Sequence, residues 1–274
     1  MRRGILVVAV LAAMGGAGFV FASDPASAEP PPDLAAVQAF APAAGSDVPF
    51  AEDRRAEAVR LAALRFGSVA GLARRGWEIA AMLERHAVSL DAIYRFGPLT
   101  LREGGFEVLP PVLAETRRAF RLERAGTRAA RAGRVLRIVE PARLVSAVPG
   151  WRDWLSRSWP EAVPPAAVLF PRDGDETVRW RSLIAEGWAQ GKALADDIFA
   201  ADLDRLNRTF EGVILWHRLH RAAMVSAPAV DIAETGVSGH ERLVRIAGSV
   251  ASIVSRARFE LDAARWTPPA GSVP

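Results

Sequence analysis

The length and composition of this chain indicate a folded protein with a substantial apolar core. It has 274 residues, of which 50% are hydrophobic, and a formal net charge of +4, so one large domain or two small ones can form. Lys192 is the only lysine, and the arginines are interspersed with acidic residues. A net charge this small gives no concentrated field for phosphate backbones, and we therefore expect no direct binding of nucleic acid.

The chain contains no cysteine. This excludes disulfides, cysteine nucleophiles and thiolate metal sites. It also excludes a lipid anchor attached to an N-terminal cysteine, so any attachment to a membrane has to come from another part of the protein or from its partners.

Residues 1–28 have the pattern of a secretory signal peptide. Arg2 and Arg3 precede an apolar stretch that ends at Ala22, and Ala26-Ser27-Ala28 supplies a small-residue cleavage site. An uncleaved membrane anchor is the alternative, because about 20 apolar residues can span a bilayer. The small-residue site favours cleavage, and both interpretations predict export to an envelope compartment.

A flexible segment and a long helix follow. Residues 29–50 are rich in Pro and Ala and lack an apolar period, which is typical of a flexible linker. From Ala51 to His86, apolar residues recur three and four apart, which predicts one amphipathic helix. Gly67 and Gly71 lie on one face of that helix, where a neighbouring backbone can approach closely. Packing within the core is the simpler interpretation of this face, and a subunit interface is the alternative.

The middle of the chain alternates between helix signals and breakers. Pro110 and Pro111 interrupt the pattern because neither can donate a backbone hydrogen bond. Val112–Glu123 is then predicted to resume a helix, and Val135–Val139 alternates like a short strand. From Asp175 to about Ala223 the apolar spacing predicts the longest helix of the chain, with Asp173 or Asp175 as its N-terminal cap.

Beyond Pro228, β-branched residues and partial alternation predict short strands. The predicted strands are Val230–Val237, Arg242–Ala247 and Ala251–Leu261, with turns at Gly239-His240-Glu241 and at Gly248. We therefore predict an α+β fold, mainly helical with long amphipathic helices and a small antiparallel sheet formed largely by the C-terminal part. The expected division is a signal peptide (1–28), a linker (29–50), a single domain (51–266) and a loose tail (267–274).

The sequence offers little that could carry chemistry. His217 and His220 lie three apart on a predicted helix and could present two imidazoles to a metal, but Glu211, the nearest upstream carboxylate, does not share their face well. Packed or solvated histidines are the better interpretation. We find no phosphate loop, dinucleotide fingerprint or credible triad, and expect no catalytic, cofactor-binding or metal-binding residues and no small-molecule substrate. A free periplasmic enzyme or ligand-binding protein remains the alternative, and it would require a pocket with convergent titratable groups.

The chain has eight tryptophans against one tyrosine. Core packing is the simpler explanation, because these side chains bury large areas. Tryptophan is also over-represented among the residues that anchor protein partners. On that interpretation Trp151, Trp154 and Trp188 are the candidate partner-binding residues.

Five short sequence motifs occur in a characteristic order along the chain. They are Leu109-Pro-Pro-Val-Leu113, Pro149-Gly-Trp-Arg-Asp-Trp-Leu155, Gly187-Trp-Ala-Gln-Gly191, Phe210-Glu-Gly-Val-Ile-Leu-Trp216 and Gly236-Val-Ser-Gly239. Together they resemble the DotC family, called TraI in conjugative plasmids, over approximately Glu57 to Trp266. No single motif is decisive, and it is their order and spacing that make the resemblance specific.

The resemblance implies a non-enzymatic structural subunit of a type IVB (Dot/Icm) secretion or conjugation apparatus. Members of this family join DotD-like and DotH-like subunits in the outer-membrane core complex, which exports protein effectors or transfers DNA. Family members are typically lipoproteins, whereas this chain has no cysteine. The resemblance therefore leads us to expect a periplasmic protein that associates with the outer membrane through its partners.

Overall fold

The computed structural model describes residues 29–40, 52–123, 128–240 and 243–267. The α-helices are α1 (Leu34–Ala39), α2 (Glu52–Arg85), α3 (Ala87–Ile93), α4 (Arg152–Leu155) and α5 (Gly174–Arg221). The strands are β1 (Leu101–Glu103), β2 (Phe106–Leu109), β3 (Val112–Glu123), β4 (Arg128–Glu140), β5 (Arg143–Val145), β6 (Ala229–His240) and β7 (Leu243–Ser255). The predicted α+β class, with long helices and a C-terminal antiparallel pair, is confirmed.

Two long parallel helices, α2 and α5, form the framework, and we call them the helix pair. Their backbones approach so closely that a Cβ atom at Gly67 would lie 2.9 Å from Ile184 Cα, and one at Gly71 would lie 2.9 Å from Trp188 Cα. An advance of four residues on α2 thus corresponds to an advance of four on α5, so the helices run in the same direction. The predicted close approach at these glycines is confirmed, and the approaching backbone belongs to the same chain.

The second helix contributes glycines to the same contact. A Cβ atom at Gly187 would lie 3.0 Å from the Ser68 backbone nitrogen, and one at Gly191 would lie 2.8 Å from the Leu72 backbone nitrogen. Both glycines are buried. Because each helix presents two glycines four residues apart to the other, neither can accept a side chain at the contact without separating the axes.

Two ion pairs, one of them largely buried, link α2 and α5. Near the N-terminal ends, the Arg55 guanidinium, 7% exposed, pairs with Glu176, and it donates a second hydrogen bond to the Phe170 carbonyl at 3.1 Å. Further along, Arg75 Nε donates to Asp196 Oδ1 at 2.8 Å. Asp173 caps α5, as one of the two predicted caps, because its Oδ1 accepts from the Glu176 amide at 2.7 Å.

The core is divided into three clusters along α5. The first lies between the helix pair and the segment of α3 and α4, and includes Phe96, Trp151, Trp154 and Leu206. The second lies near the start of the helix pair, and includes Val37, Phe66, Phe170, Trp180 and Ile184. The third surrounds the last turns of α5, and includes Leu113, Trp216, Leu219, Val225 and Ala257. The third cluster therefore joins the C-terminal end of α5 to both the β3 segment and the C-terminal segment.

All strand pairs are antiparallel, and they form three separate units. β2 lies between β1 and β5, β3 pairs only with β4, and β6 pairs only with β7 among the described residues. We call β3–β4 the arginine hairpin and β6–β7 the C-terminal hairpin. At about 3.4 Å per residue, the 12-residue strands β3 and β6 are each about 40 Å long. Among the described residues, Val112 and Leu113 of β3 contact α5 at Gly212, and Ile232 of β6 contacts the turn at Gly104.

The prediction of a helix at Val112–Glu123 is wrong, since this segment is strand β3. Its composition, rich in Ala, Arg, Glu and Leu, favours a helix on local propensity alone. Two features decide otherwise: Leu113 is buried opposite Ile138 of β4, and Gly212 of α5 allows Val112 and Leu113 to approach its backbone. Long-range pairing and packing outweigh the propensity of the segment.

The C-terminal region contains two strands and not the three that we predicted. The expected turn at Gly248 is wrong, because Gly248 pairs with Thr235 inside the hairpin. The predicted strand Ala251–Leu261 ends at Ser255, after which the chain continues to an isolated bridge between Phe259 and Val225. Glycine interrupts the alternation in sequence but is accommodated within the ladder.

Part of the predicted linker is structured. Leu34–Ala39 forms helix α1, capped by Asp33, whose Oδ1 accepts from the Ala36 amide at 2.8 Å. Val37 is 2% exposed in the second core cluster, so the linker prediction is corrected for this helix. At the other end, the Thr267 amide donates to the Ala222 carbonyl at 2.9 Å. Residues 1–28, 41–51 and 268–274, which contain the predicted signal peptide and most of the predicted tail, lie outside the described residues.

Among the described residues, no helix combines the length and the apolar composition needed to cross a membrane.

Candidate partner-binding surfaces

Two of the three candidate tryptophans lie inside the chain's own core. Trp151 is 1% exposed and Trp154 is 8% exposed. Trp151 Nε1 donates to Asp91 Oδ1 at 2.7 Å, and the Trp154 ring stacks on Phe96 with centroids 5.1 Å apart. In the isolated chain these rings hold α4 against α3 and the long helices, which leaves them little surface for direct contact with a partner.

The third candidate, Trp188, is half-buried and packs against the second core cluster. Its backbone forms the close contact with Gly71. The Trp188 side chain therefore keeps some accessible surface for a partner. Packing between α2 and α5 is, however, sufficient to explain why the residue lies there. Partner binding by Trp151, Trp154 and Trp188 stays a prediction.

The two histidines face different backbone carbonyls. His217 Nε2 lies 2.8 Å from the Leu99 carbonyl oxygen, and His220 Nδ1 lies 2.9 Å from the Val225 carbonyl oxygen. Both rings also contact Trp216, and the His220 ring is stacked on it at 4.8 Å. Each imidazole therefore links the end of α5 to a neighbouring loop, which agrees with the packed interpretation.

The surface grooves differ in their content of titratable groups: the groove beside β5 and α4 is lined by Glu140, Arg143, Asp153 and Arg205, whereas another is mainly apolar. One groove of about 700 Å³ lies between α2 and residues 160–169, and its lining is mainly apolar with Arg65 and Glu161 as the titratable members. In the part of the chain that the structure describes, no group of three or more His, Cys, Asp or Glu side chains is placed to hold a metal ion.

The arginine hairpin is the most highly charged feature of the molecule. Between Thr116 and Arg137 the sequence contains eight arginines, and Glu123 is the only acidic residue. The strand register brings these positions together: Arg117 is opposite Arg134, and Phe120 is opposite Arg131. The net charge of +4 for the whole chain concealed this concentration. In this segment the arginines are not interspersed with acidic residues, so our description of evenly mixed charge is wrong here, and the sequence alone could have shown it.

A single carboxylate lies at the base of this hairpin and faces three guanidinium groups, a set that we call the Glu115 cluster. Glu115, 12% exposed, accepts from Arg117 Nε at 2.9 Å and from Arg134 Nη2 at 3.0 Å, and Arg218 of α5 lies 3.7 Å away. The hydrogen bond from Arg117 lowers the pKa of Glu115 below its usual value, and the bond from Arg134 adds to this against the opposing effect of partial burial.

The Glu115 cluster has two consequences. It offsets the repulsion between Arg117 and Arg134, which are directly opposite each other on the two strands. It also connects both strands to α5 through Arg218. One carboxylate cannot neutralise three guanidinium groups, so the Glu115 cluster itself keeps an excess positive charge. Sequence reasoning missed this cluster because it joins three separate elements.

The C-terminal hairpin instead exposes two valines, with Ser252 and its register partner Asp231 between them. Val250 is 54% exposed and Val254 is 64% exposed. Exposed and half-buried residues alternate from position 250 to 255, which places both valines on the exposed face although the register shifts at Val254. Ala233 of β6 is the register partner of Val250. On the opposite face, Ile232 packs over the turn at Gly104, which has a positive φ of 53°. One face of the hairpin is thus used within the chain, and the other presents valines to solvent.

Comparison with models of known protein families identifies the family of this chain. Residues 53–268 match the family model T4SS_TraI, described as type IV secretory system, conjugal DNA-protein transfer. Because the match covers most of the chain, the chain belongs to this family, and it is a component of a type IV secretion or conjugation system. No curated protein matches the chain significantly.

The family assignment confirms the resemblance found in the sequence, and the structure explains several of its motifs as packing. Gly187 and Gly191 form the helix contact, and Gly212 allows β3 to approach α5. In the motif around Trp151, the Arg152 guanidinium lies 4.2 Å from the ring centroid of Trp151 and 2.9 Å from Glu84 of α2. These motifs therefore specify the framework more directly than they specify a binding surface.

Proposed function

We propose that this protein is a non-enzymatic structural subunit of a type IVB secretion or conjugation apparatus. In this role it would bind DotD-like and DotH-like subunits in the periplasm and associate with the outer membrane through them. The membership of the T4SS_TraI family supports the apparatus. The specific partners come from the resemblance to DotC, and the N-terminal segment supports export.

The observation that carries the proposal is the pair of separate hairpins. Each is a two-stranded unit, and in the described part of the chain no third strand pairs with either. An isolated hairpin is marginally stable in water, and its outer edges leave backbone N–H and C=O groups free to pair with another chain. Edges of this length suit the addition of a strand from a partner subunit.

The exposed face of the C-terminal hairpin is the better candidate for a subunit interface. Val250 and Val254 are exposed on the face opposite the one that packs over Gly104. Burial of two valines by a partner would contribute apolar contact at about 25 cal/mol per Å² of area removed from water. The hairpin combines this surface with two strand edges, whereas the buried tryptophans offer little accessible area.

Co-purification from the native envelope tests the proposal. A tagged chain extracted in gentle detergent should retain DotD-like and DotH-like subunits in a fixed ratio, measured by quantitative mass spectrometry. The double variant Val250→Lys, Val254→Lys should lose them, because it places two charges in the interface without disturbing the core.

A matched control uses two other exposed valines, Val88 at 85% and Val178 at 68% exposure. The variant Val88→Lys, Val178→Lys adds the same charge outside the hairpins and should keep the partners. Recovery of the wild-type chain as a monomer without partners, from a fraction that contains the assembled apparatus, would contradict the proposal.

A further inference from the structure

We propose that a groove on α2 binds an extended proline-rich segment of another protein, beside a segment of the same kind that the chain supplies itself. The groove has a volume of about 690 Å³ and lies between residues 29–32, helix α2 and residues 157–162. We call it the tryptophan groove, because Trp77 and Trp159 line it. The contact is additional to those proposed for the hairpins, and it leaves the backbone hydrogen bonds of α2 intact because it is made by side chains.

The chain's own residues show which kind of segment this groove holds. Pro30, Pro31 and Pro32 follow one another, and consecutive prolines favour the polyproline II conformation, in which the carbonyl groups form no internal hydrogen bonds. Arg74 Nη1 donates to the Pro31 carbonyl oxygen at 3.0 Å, and the Arg74 guanidinium lies 5.2 Å from the ring centroid of Trp77. A donor held beside an aromatic ring thus binds one carbonyl of a proline-rich segment.

The helix that follows holds this segment in place. Helix α1 begins directly after the prolines with Asp33 as its cap. Val37 is 2% exposed in the second core cluster, and Gln38 Nε2 donates to the Arg181 carbonyl oxygen at 2.9 Å. Because α1 is anchored, residues 30–32 stay on their own helix pair and form one wall of the groove. A second copy of the chain anchors its prolines in the same way, so another protein has to supply the second segment.

The opposite wall of the tryptophan groove offers the same type of contact. Trp159 is half-buried against the first core cluster, and its ring lies on α2 at Gly76, where an added Cβ atom would collide with it. Among the described residues, the Trp159 indole N–H and the Ser158 hydroxyl have no hydrogen-bond partner. Two donors beside an aromatic ring match the carbonyl groups that a polyproline II segment leaves free. Aromatic-lined grooves are a general means of recognising proline-rich segments.

The rest of the lining favours a small apolar segment over an anionic ligand. Helix α2 contributes three alanines and one aromatic residue to the groove, namely Ala70, Ala73, Trp77 and Ala80. The charged residues of the lining are Glu29, Glu161 and Arg157, and Arg157 is already paired with Asp202 at 2.8 Å. A phosphate or carboxylate would therefore meet two acidic residues and a cation that is engaged elsewhere, whereas proline rings gain apolar contact.

Fluorescence anisotropy with labelled decaproline and the purified full chain tests the inference. We expect saturable binding of decaproline, and no binding of a labelled peptide of equal length made of alternating glycine and serine, which is flexible and lacks rings. Trp159→Ala should weaken decaproline binding on the order of 30-fold, because it removes both the ring and the donor. Trp159→Phe keeps a ring over Gly76 and should weaken binding about fivefold, because it removes only the donor.

The control removes an accessible tryptophan elsewhere. Trp266 is 41% exposed and does not line the groove, so Trp266→Ala should retain the affinity for decaproline within about twofold. Equal losses in Trp159→Ala and Trp266→Ala would overturn the assignment to the groove. Failure of the wild-type chain to bind decaproline would overturn it as well. Circular dichroism checks each fold, and Trp159→Phe provides the test if Trp159→Ala does not fold.

Sedimentation velocity distinguishes the source of the second segment. Because the prolines of each copy are held by its own α1, we expect no self-association of the wild-type chain that decaproline reverses. Self-association that is abolished both by decaproline and by Trp159→Phe would show that a second copy of the chain supplies the segment. That result would overturn the assignment to another protein.

Discussion

The helix pair and the two hairpins differ in how the chain holds them. In the helix pair, backbones approach through four glycines, and a buried arginine pairs with a carboxylate across the two helices. Each hairpin is held along its length mainly by its own two strands, with its base on α5 or on the β1–β2 turn. The difference indicates a rigid framework that presents two elements whose free surfaces are available to other molecules.

The largest expected effect lies where the two regions meet. Trp216 of α5 is 0% exposed in the cluster that contains Leu113 of β3 and Ala257 after β7. The variant Trp216→Ala should lower the free energy of unfolding by about 4 kcal/mol, measured by denaturant titration. The partly exposed Trp266, at 41%, is the control, and Trp266→Ala should cost about 1 kcal/mol or less. Equal losses would mean that Trp216 does not join the hairpins to the framework.

The next effect concerns the glycine contact. A valine at position 67 has its Cβ 2.9 Å from Ile184 Cα, so α2 and α5 would have to separate. We expect Gly67→Val to destabilise the protein by about 3 kcal/mol. At Gly174 no atom lies within 4 Å of an added Cβ, and Gly174→Ala on the same helix pair should change stability by less than about 0.5 kcal/mol. A tolerated valine at position 67 would contradict the close packing.

The buried ion pair gives a smaller and pH-dependent effect. Burial raises the pKa of Glu176, but hydrogen bonds from Arg55 and from the Arg172 amide outweigh it, so the folded-state pKa lies below the ordinary value of 4.5. The stabilisation is therefore present above about pH 4.5 and is lost as the pH falls through the folded-state pKa.

A substitution isolates this contribution. Glu176→Gln leaves Arg55, at 7% exposure, without its countercharge and should cost about 2 kcal/mol at pH 7. The difference between wild type and variant should shrink as the pH is lowered from 6 to 3, measured by denaturant titration at each pH. A difference that stays constant over this range would show that the Glu176 charge does not stabilise the fold.

The smallest expected effect is a gain in stability at the end of the helix pair. Ala223 follows α5 with a positive φ of 54°, a conformation that costs a residue with a Cβ about 1 kcal/mol. Ala223→Gly should therefore stabilise the protein by about 0.5 kcal/mol, seen as a higher melting temperature. Ala222→Gly, at a φ of −85°, is the matched control and should stabilise nothing. A lower melting temperature for Ala223→Gly would refute this explanation.

The framework could be predicted from the sequence because its signals are local. Apolar spacing gave the long helices to within a few residues, from Glu52 to Arg85 and from Gly174 to Arg221, and Asp173 was one of two expected caps. The glycines at positions 67 and 71 indicated a close contact. The sequence could not show that these glycines contact a parallel helix more than 100 residues later in the chain. Only the folded structure shows that partner.

The hairpins were much harder to predict for a physical reason. Strand β3 carries residues that favour helices, and only pairing with β4 and packing against α5 make it extended. The Glu115 cluster depends on the same pairing, whereas the concentration of arginines between Thr116 and Arg137 is already present in the sequence. The buried positions of Trp151 and Trp154 could not be inferred either, since amino-acid type does not distinguish a core tryptophan from one at an interface.

The central claim is that the hairpins make the contacts with other subunits while the helix pair serves as framework. Hydrogen exchange with mass spectrometry, comparing the free chain with the chain in the isolated complex, tests it most directly. We expect the strands of 112–140 and 229–255 to gain protection in the complex, and 52–85 and 174–221 to change little. Protection gained on the helix pair, with unchanged exchange in both hairpins, would contradict the claim.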